Sequence, residues 1–293
     1  MVESILIVTT VSSWPEALEI QKKAIDKFCR NKTKFIAVID TSPIPNPWNL
    51  WDTKLRNKAI EFAGKFCDEL VEFPEELHIN RKAIFPNTRK KISKYSNERA
   101  SDVLQYIYNL RIQNHQGPVM ILDSDMFPFA EFDIYEDLSN KMIRGVWQHR
   151  KGRLGKEVNY YWNGLLEMNP AIMLEKSKFS FDCGKVCGIP VDTGGQSHYW
   201  LKQMKEFNLE EKLGTISHLS SLNWSVSDYK KSIPNALLDF IVNDDRNQSG
   251  KIYSEIYDDK FLHFRSGSNW RNEEPYKVTL RQSSFLASFK NCI

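Results

Sequence analysis

The sequence predicts an α/β fold, in which a mixed and mostly parallel sheet is flanked by helices. Two short apolar runs, 5–8 and 35–39, lie on either side of a helical pattern of apolar residues between Pro15 and about Arg30. A third run, Val119 to Leu122, follows another helical pattern and is too short to form a helix itself. Strand, helix and strand in this order indicate βαβ units, whose parallel strands are buried on both faces.

The bulk composition favours one domain over residues 1–293. No repeat, low-complexity segment or sharp boundary divides the chain. The net charge of +3 is too small to indicate a nucleic acid partner. No apolar run approaches the roughly 20 residues that span a bilayer, so no transmembrane segment is expected. Five scattered cysteines and the lack of a secretory signal predict a cytoplasmic protein with free thiols.

The remaining elements follow from the same patterns. Thr9 to Ser13 is expected to form a hydroxyl-rich loop, and prolines 43, 45 and 47 make a stiff, non-helical connector. Further helices are predicted at about 50–66 and 96–110, and another ends near Phe207. Further strands are predicted at 69–73, 142–147, 160–168 and just before His263.

Two basic stretches connect these elements. Residues 74–96 are loop-like and contain Arg81, Lys82, Arg89, Lys90, Lys91 and Lys94. Such a run is either solvated surface or a mobile flap that meets a phosphate-bearing ligand. The second stretch, His149 to Lys156, contains glycine and suits a flexible loop over a site.

Two aspartates directly follow the third buried strand, where Asp123, Ser124 and Asp125 come after Leu122. Ligands of open α/β sheets bind beyond the carboxyl ends of the strands. Residues two apart on a strand point to the same side, so both carboxylates can reach one point. Two hard oxygen ligands suit Mn²⁺ or Mg²⁺ and leave open positions that diphosphate oxygens can fill. The alternative is a solvated turn in which one aspartate caps the following turn.

Two charged residues lie where a nucleotide would meet the same edge of the sheet. Asp40 ends the second strand and is placed to accept a hydrogen bond from a ribose hydroxyl or a base N–H, or else it starts a turn. Arg99 lies in the first turn of the helix that precedes the aspartate strand. It is a candidate for a diphosphate contact, with a surface ion pair as the alternative.

Aromatic and glycine residues indicate a place for a sugar. Trp162 belongs to an aromatic cluster that either packs in the core or stacks on a sugar ring, and Asn163-Gly164 is either a tight turn or a close approach to a ligand. Gly194 and Gly195 free backbone N–H groups at the start of a helix, which favours anionic or hydroxyl-bearing ligands.

A last motif runs from Phe261 to Trp270. His263 ends a short apolar strand and is either a structural histidine or a third ligand for Mn²⁺ beside two carboxylates. The backbone from Ser266 through Gly267 to Ser268 could wrap phosphate oxygens as a nest.

Three of these stretches together resemble the GT-A-fold nucleotide-sugar glycosyltransferases. Residues 121–125 are similar to the Asp-x-Asp strand of that fold, and residues 162–166 to the Asn-x-Gly strand that lines its sugar pocket. Residues 263–270 resemble the His-x-x-Gly-x-Lys-Pro-Trp segment of the glycogenin and lipopolysaccharide-galactosyltransferase type. Here one extra residue precedes the glycine, and Ser268-Asn269 replaces Lys-Pro.

The resemblance implies a Rossmann-like GT-A fold with a nucleotide-binding half over about 1–130 and an acceptor half over about 131–293. It implies Mn²⁺ or Mg²⁺ on Asp123, Asp125 and His263, a nucleotide-sugar donor (a UDP-sugar by default) and a glycan, lipid or protein hydroxyl as acceptor. The nucleotide contacts expected are Thr9, Thr10, Asp40, Arg99, Ser124, Ser266 and Gly267. The sugar or acceptor contacts expected are Trp162, Asn163, Gly164, Gly194, Gly195, Gln196 and Trp270.

The stereochemistry and two other functions stay open. An inverting enzyme needs a carboxylate base, for which Asp192 is the first choice before Asp228 or Asp239. In a retaining enzyme, Asp192 and Gln196 would instead hold sugar hydroxyls. The alternatives are a haloacid-dehalogenase-like phosphatase with Asp123 as nucleophile and Asp125 as acid/base, or a sugar-nucleotide-binding protein without turnover.

Overall fold

A seven-stranded mixed sheet forms the centre of the protein in a computed structural model that describes residues 4–40, 53–152, 155–229, 231–265 and 275–293. In spatial order its strands are β10 (Leu213–Thr215), β6 (Ile143–Lys151), β7 (Glu157–Met168), β4 (Val119–Leu122), β1 (Ile5–Val11), β2 (Thr33–Ile39) and β3 (Glu69–Glu72). Four of the six neighbouring pairs are parallel, and the two that involve β7 are antiparallel. The predicted fold class is therefore confirmed.

Helices cover both faces of this sheet. One face packs against α1 (Ala17–Phe28) and α2 (Thr53–Phe66), and the other against α4 (Ser96–Ile107) and α6 (Ser197–Glu206). The other helices are α3 (Glu76–Ile79), α5 (Ile134–Leu138), α7 (Asn235–Val242) and α8 (Pro275–Lys290). Among the helices so described, none combines the length and apolarity that crossing a membrane requires.

A second, antiparallel sheet adjoins the carboxyl end of β4. Its order is β11 (His218–Leu219), β12 (Glu255–Tyr257), β13 (Phe261–His263) and β5 (Met126–Pro128). Two further strands, β8 (Gly184–Val186) and β9 (Ile189–Val191), form a hairpin. Because only three residues separate β4 from β5, the Asp123–Asp125 turn joins the two larger sheets.

The structure corrects three predictions of loops. Thr9 to Val11 belong to β1, because β-branched residues there pair with β2, and Thr9 also pairs with β4. In the second basic stretch, residues 149–151 belong to β6 and pair with β7, with His149 opposite Asn159; residues 153 and 154 lie outside the described residues. Residues 74–96 are loop-like only in part, because α3 and a 3₁₀ turn, Arg81–Ala83, lie within them and bury His78 and Arg81.

Two other predictions differ in detail. The helix that begins at Ser96 ends at Ile107 and passes into a π-helical turn, Tyr108–Ile112. The Asn163-Gly164 pair lies inside β7 rather than in a hairpin turn. The proline connector at 43–48 falls outside the described residues.

Candidate functional site

The turn after β4 is held from two sides by hydrogen bonds to its backbone. The Asp123 N–H donates to the Gly164 carbonyl of β7 at 2.8 Å. From α1, the amide of Gln21 donates to the carbonyls of Asp123 and Met126, at 2.7 and 2.9 Å. Gln21 is fully buried on the apolar face of α1, and a polar residue in such a stripe is the signal that could have revealed it. The turn is thus fixed by both neighbouring elements.

The second sheet brings His263 to this turn. Met126 of β5 pairs with His263 of β13, and the Phe264 N–H donates to the Asp125 carbonyl at 2.8 Å. The imidazole Nε2 then lies 3.1 Å from Asp125 Oδ1. One ligand atom from each of Asp123, Asp125 and His263 lies within 4.8 Å of the others. The three predicted metal ligands therefore converge, although 138 positions separate Asp125 from His263.

Glu255 fixes the orientation of this histidine, and the sequence analysis missed it. Its Oε2 lies 2.8 Å from His263 Nδ1 and also accepts a hydrogen bond from the Tyr257 hydroxyl at 2.7 Å. A carboxylate on Nδ1 keeps the proton there, so that Nε2 faces the two aspartates with its lone pair in the neutral ring. Glu255 pairs directly with His263 across the β12–β13 hairpin, whose turn contains Asp258 and Asp259 at positive φ. An Asp-Asp turn between two apolar strands is the signal that could have revealed the pairing.

The charges at the site suit a divalent cation. Burial and the nearby Asp125 carboxylate raise the pKa of Asp123, with His263 opposing the rise. Burial disfavours charge on His263, but Asp125 and Glu255 outweigh it and raise the pKa of the imidazole. Two close carboxylates and one imidazole are a set of donors that Mn²⁺ and Mg²⁺ accept, and the ion would relieve the repulsion between the carboxylates. The residues present therefore fit the predicted metal.

The predicted Trp162-Asn163-Gly164 segment lies beside these ligands. The register between β6 and β7 shifts at this point, from Gly145 opposite Leu166 to Val146 opposite Trp162. The indole of Trp162 stacks on Tyr257, with ring centres 5.2 Å apart, and is 5.4 Å from the His263 ring. A Cβ on Gly164 would lie 2.0–2.5 Å from atoms of that indole, so only glycine fits. Asn163 is half-buried between them.

The predicted nucleotide residues lie along the carboxyl ends of β1 and β2. Thr9 pairs with Leu122, one residue before Asp123, and its buried hydroxyl has no hydrogen-bond partner among the described residues. Thr10 beside it is half-buried, and Ser124 is buried in the aspartate turn. Asp40 follows β2, where its Oδ1 accepts a hydrogen bond from Arg99 at 3.0 Å and lies 3.1 Å from His78 Nε2.

Arg99 is therefore ion-paired with Asp40, and both are almost fully buried. Burial would raise the pKa of Asp40, but hydrogen bonds and charge from His78 and Arg99 outweigh it and lower that pKa to about 2. A surface ion pair was the predicted alternative to a diphosphate contact for Arg99, but the observed pair is buried. The pair holds the start of α4 against the end of β2.

A buried chain of charged groups continues from Asp40 toward α6. His78 Nδ1 lies 2.9 Å from Asp102, whose other oxygen accepts a hydrogen bond from Arg81 Nε at 2.7 Å. Arg81 Nη2 then donates to Asp182 at 2.8 Å. Arg81 is fully buried, although the sequence analysis placed it in an exposed basic run. Its partners come from separate segments, so no local pattern revealed them.

The segment before α6 lies against β7 close to Trp162. A Cβ on Gly194, which has φ +83°, would come within 2.9 Å of the Tyr161 carbonyl oxygen. Gly195 is buried, Gln196 is half-buried and Asp192 is exposed, with its Oδ1 accepting a hydrogen bond from the Thr193 N–H. The predicted residues Ser266, Gly267 and Trp270 lie outside the described part of the chain.

Comparisons with solved structures found distant likenesses. The chain is similar to mouse xyloside xylosyltransferase 1 (10% identity, TM-score 0.41, 76% of this chain and 87% of that one). It is also similar to the WbbM bifunctional glycosyltransferase, with 12% identity and a TM-score of 0.43 over 98% of this chain and 44% of that one. A third likeness is to glucosyl-3-phosphoglycerate synthase from Mycobacterium tuberculosis, solved with Mn²⁺, uridine diphosphate and glucosyl-3-phosphoglycerate. The identity is 10% and the TM-score 0.37, over 73% of this chain and 69% of that one.

The chain thus spans less than half the length of the WbbM structure. No protein-family model and no curated protein sequence matches it. Because all three TM-scores are below 0.5, the fold class rests on the sheet order of this chain and not on these likenesses.

Proposed function

We propose that this protein is a metal-dependent glycosyltransferase that moves a sugar from a nucleotide-diphosphate donor to a hydroxyl acceptor. One observation carries the proposal: Asp123, Asp125 and His263 converge at the carboxyl end of β4, with ligand atoms within 4.8 Å of one another. This is the edge of an α/β sheet at which ligands bind. Two carboxylates and an imidazole leave coordination positions open for phosphate oxygens.

The residues around the metal ligands divide into two groups. Thr9, Thr10, Asp40, Arg99 and Ser124 belong to the nucleotide side. The buried hydroxyl of Thr9, which has no partner within the described parts of the chain, offers a donor and an acceptor there. Ser266 and Gly267 belong to the same side in this proposal. The donor is a UDP-sugar by preference.

The other group belongs to the sugar and the acceptor: Trp162, Asn163, Gly164, Gly194, Gly195, Gln196 and Trp270. The backbone of Gly164 supports the aspartate turn, and the indole of Trp162 offers an aromatic surface beside the metal ligands. The acceptor is a glycan, lipid or protein hydroxyl.

A divalent ion bound here would neutralise the charge that develops on the leaving diphosphate. The protein itself positions the three metal ligands: Glu255 orients His263, and Gln21 and Gly164 fix the aspartate turn. Asp192 is exposed beside the Gly194-Gly195 turn, where it can accept a proton from a hydroxyl in an inverting enzyme or bind sugar hydroxyls in a retaining one. The five free cysteines suit a cytoplasmic location, which is part of the same proposal.

Thermal unfolding with UDP-, GDP-, CMP- and dTDP-sugars, each with and without Mn²⁺, tests the proposal. A ligand at a hundredfold excess over Kd stabilises the native state by about 2.7 kcal/mol, which raises the midpoint by a few degrees. We expect one nucleotide class to stabilise the protein only with Mn²⁺, and release of its diphosphate to show turnover. Asp125→Asn, which keeps the size of the side chain, should lose the thermal stabilisation that depends on Mn²⁺.

Three results would contradict this. Stabilisation of Asp125→Asn equal to that of the original protein would refute the metal site. Binding without any sugar transfer would favour a sugar-nucleotide-binding protein. No response to any nucleotide, together with hydrolysis of a phosphate monoester, would favour the phosphatase.

A further inference from the structure

The exposed side of the basic stretch at 74–96 takes no part in the proposed site, although its inner side is built into the protein and His78 contacts Asp40. His78, Arg81 and Ser93 are buried beneath it. Two backbone hydrogen bonds tie its ends together, from Ser93 N–H to the His78 carbonyl at 2.8 Å and from Arg81 N–H to the Lys91 carbonyl at 3.1 Å. The residues between these anchors are therefore held side by side and face outward.

Three of these outward residues are apolar. Ile79 and Ile92 lie between the two backbone hydrogen bonds and are 58% and 46% exposed. Tyr95, two residues after the Ser93 anchor, is 57% exposed. An isoleucine side chain is less stable in water than against an apolar surface. Contact with an apolar partner at this place would therefore be favourable.

Cations surround these apolar residues. Lys82, Lys91 and Lys94 are all exposed, and each is adjacent in sequence to one of the anchors or to Ile92. Within the described chain, the lysine and arginine ion pairs of this stretch are made by Lys90 with Glu98 and by Arg81 with its two buried carboxylates. Two exposed glutamates, Glu75 and Glu76, precede the patch, so cations remain in excess.

We propose that this basic-apolar patch, formed by Ile79, Ile92, Tyr95, Lys82, Lys91 and Lys94, docks the protein on an anionic lipid surface. The lysines complement phosphate and carboxylate headgroups, while the two isoleucines and the tyrosine enter the boundary between headgroups and acyl chains. An acidic polymer would match the lysines but would leave the isoleucines in water, which is why a lipid surface fits better. The buried anchors hold these side chains in one arrangement before contact, so little ordering is needed on binding.

Sedimentation of the protein with vesicles tests this proposal without any nucleotide or metal. Vesicles of phosphatidylcholine alone are compared with vesicles that also contain phosphatidylserine, at low and high salt. We expect binding only to the second kind and its loss at high salt. Each lysine near an anionic surface contributes roughly fivefold in partitioning, so Lys91→Glu/Lys94→Glu should lose about 25-fold or more.

Two further variants separate the patch from general charge effects. Lys202→Glu/Lys205→Glu changes the net charge equally on the exposed side of α6 and should bind as the original protein does. Ile79→Ser/Ile92→Ser keeps every charge and should bind less tightly. Unchanged thermal midpoints would show that all variants are folded, as expected for exposed side chains.

Three outcomes would overturn the proposal. The original protein could fail to bind phosphatidylserine vesicles at low salt. The α6 variant could lose as much binding as the patch variant, which would mean that net charge alone is responsible. Finally, full binding by Ile79→Ser/Ile92→Ser would show that the lysines act alone and that an acidic polymer is the better partner.

Discussion

Replacing Glu255 by glutamine tests how the site controls its histidine. Three donors converge on this buried carboxylate: His263 Nδ1 at 2.8 Å, the Tyr257 hydroxyl at 2.7 Å and the Ser221 N–H at 3.0 Å. Glutamine has only one carbonyl oxygen, so one of its N–H groups must face a former donor. If the amide N–H faces His263, the imidazole proton moves to Nε2 and blocks the atom that faces Asp125. If it faces Ser221, two buried donors meet, at a cost of about 1–3 kcal/mol.

The first arrangement weakens metal binding, and loss of such an outer partner typically lowers metal affinity about 10–100-fold. Titration calorimetry of Mn²⁺ into the purified proteins measures this directly. Tyr257→Phe is the matched control, because it removes a donor to the same carboxylate while leaving the contact with His263. We expect the control to bind Mn²⁺ nearly as well as the original protein. Equal affinities for Glu255→Gln and the original protein, or equal losses in both variants, would refute the reasoning.

Three other changes probe the surroundings of the site. Gly164→Ala places a Cβ against the Trp162 ring; we expect a loss of about 1–3 kcal/mol in chemical denaturation and altered tryptophan fluorescence, and unchanged values would contradict the packing. Arg81→Met removes the guanidinium between two buried carboxylates and should lower the free energy of unfolding by about 3–5 kcal/mol. An unchanged free energy of unfolding would show that this buried group of charges adds no stability. The pKa of Asp40 is lowered to about 2, so the ionised carboxylate contributes about 2 kcal/mol to the free energy of unfolding. This contribution is present above about pH 4 and is lost as the pH falls toward 2. Stability measured against pH should show this loss in the original protein and not in Asp40→Asn, and identical stability curves for the two proteins would contradict the prediction.

The aspartate pair could be predicted because a short apolar run and its position at a strand end are local features. The prediction of a loop at Thr9 was wrong because threonine, which is β-branched, also favours a strand, and here that strand has partners on both sides. Glu255 lies opposite His263 in a hairpin, so the pairing was within reach of sequence reasoning once the turn was identified.

Arg81 shows the limit of such reasoning. Within a run of lysines and arginines, nothing marks the one side chain that is buried between Asp102 and Asp182. Those partners lie 21 and 101 positions away, and the burial of a charge depends on all of them together. Composition therefore predicted solvated surface or a mobile flap, which describes the exposed lysines but not the buried and paired charge of Arg81 beneath them.

The pairing of β5 with β13 also sets an order of events during synthesis. A chain that has been translated only through β5 already carries both aspartates but lacks His263. His263 arrives 138 positions after Asp125, and contacts of such long range form late in folding. A truncated chain that lacks β13 would have neither the imidazole nor the strand that covers the edge of β5. The site is therefore complete only once β13 has been made and has paired with β5, and its assembly reports that the two larger sheets have joined.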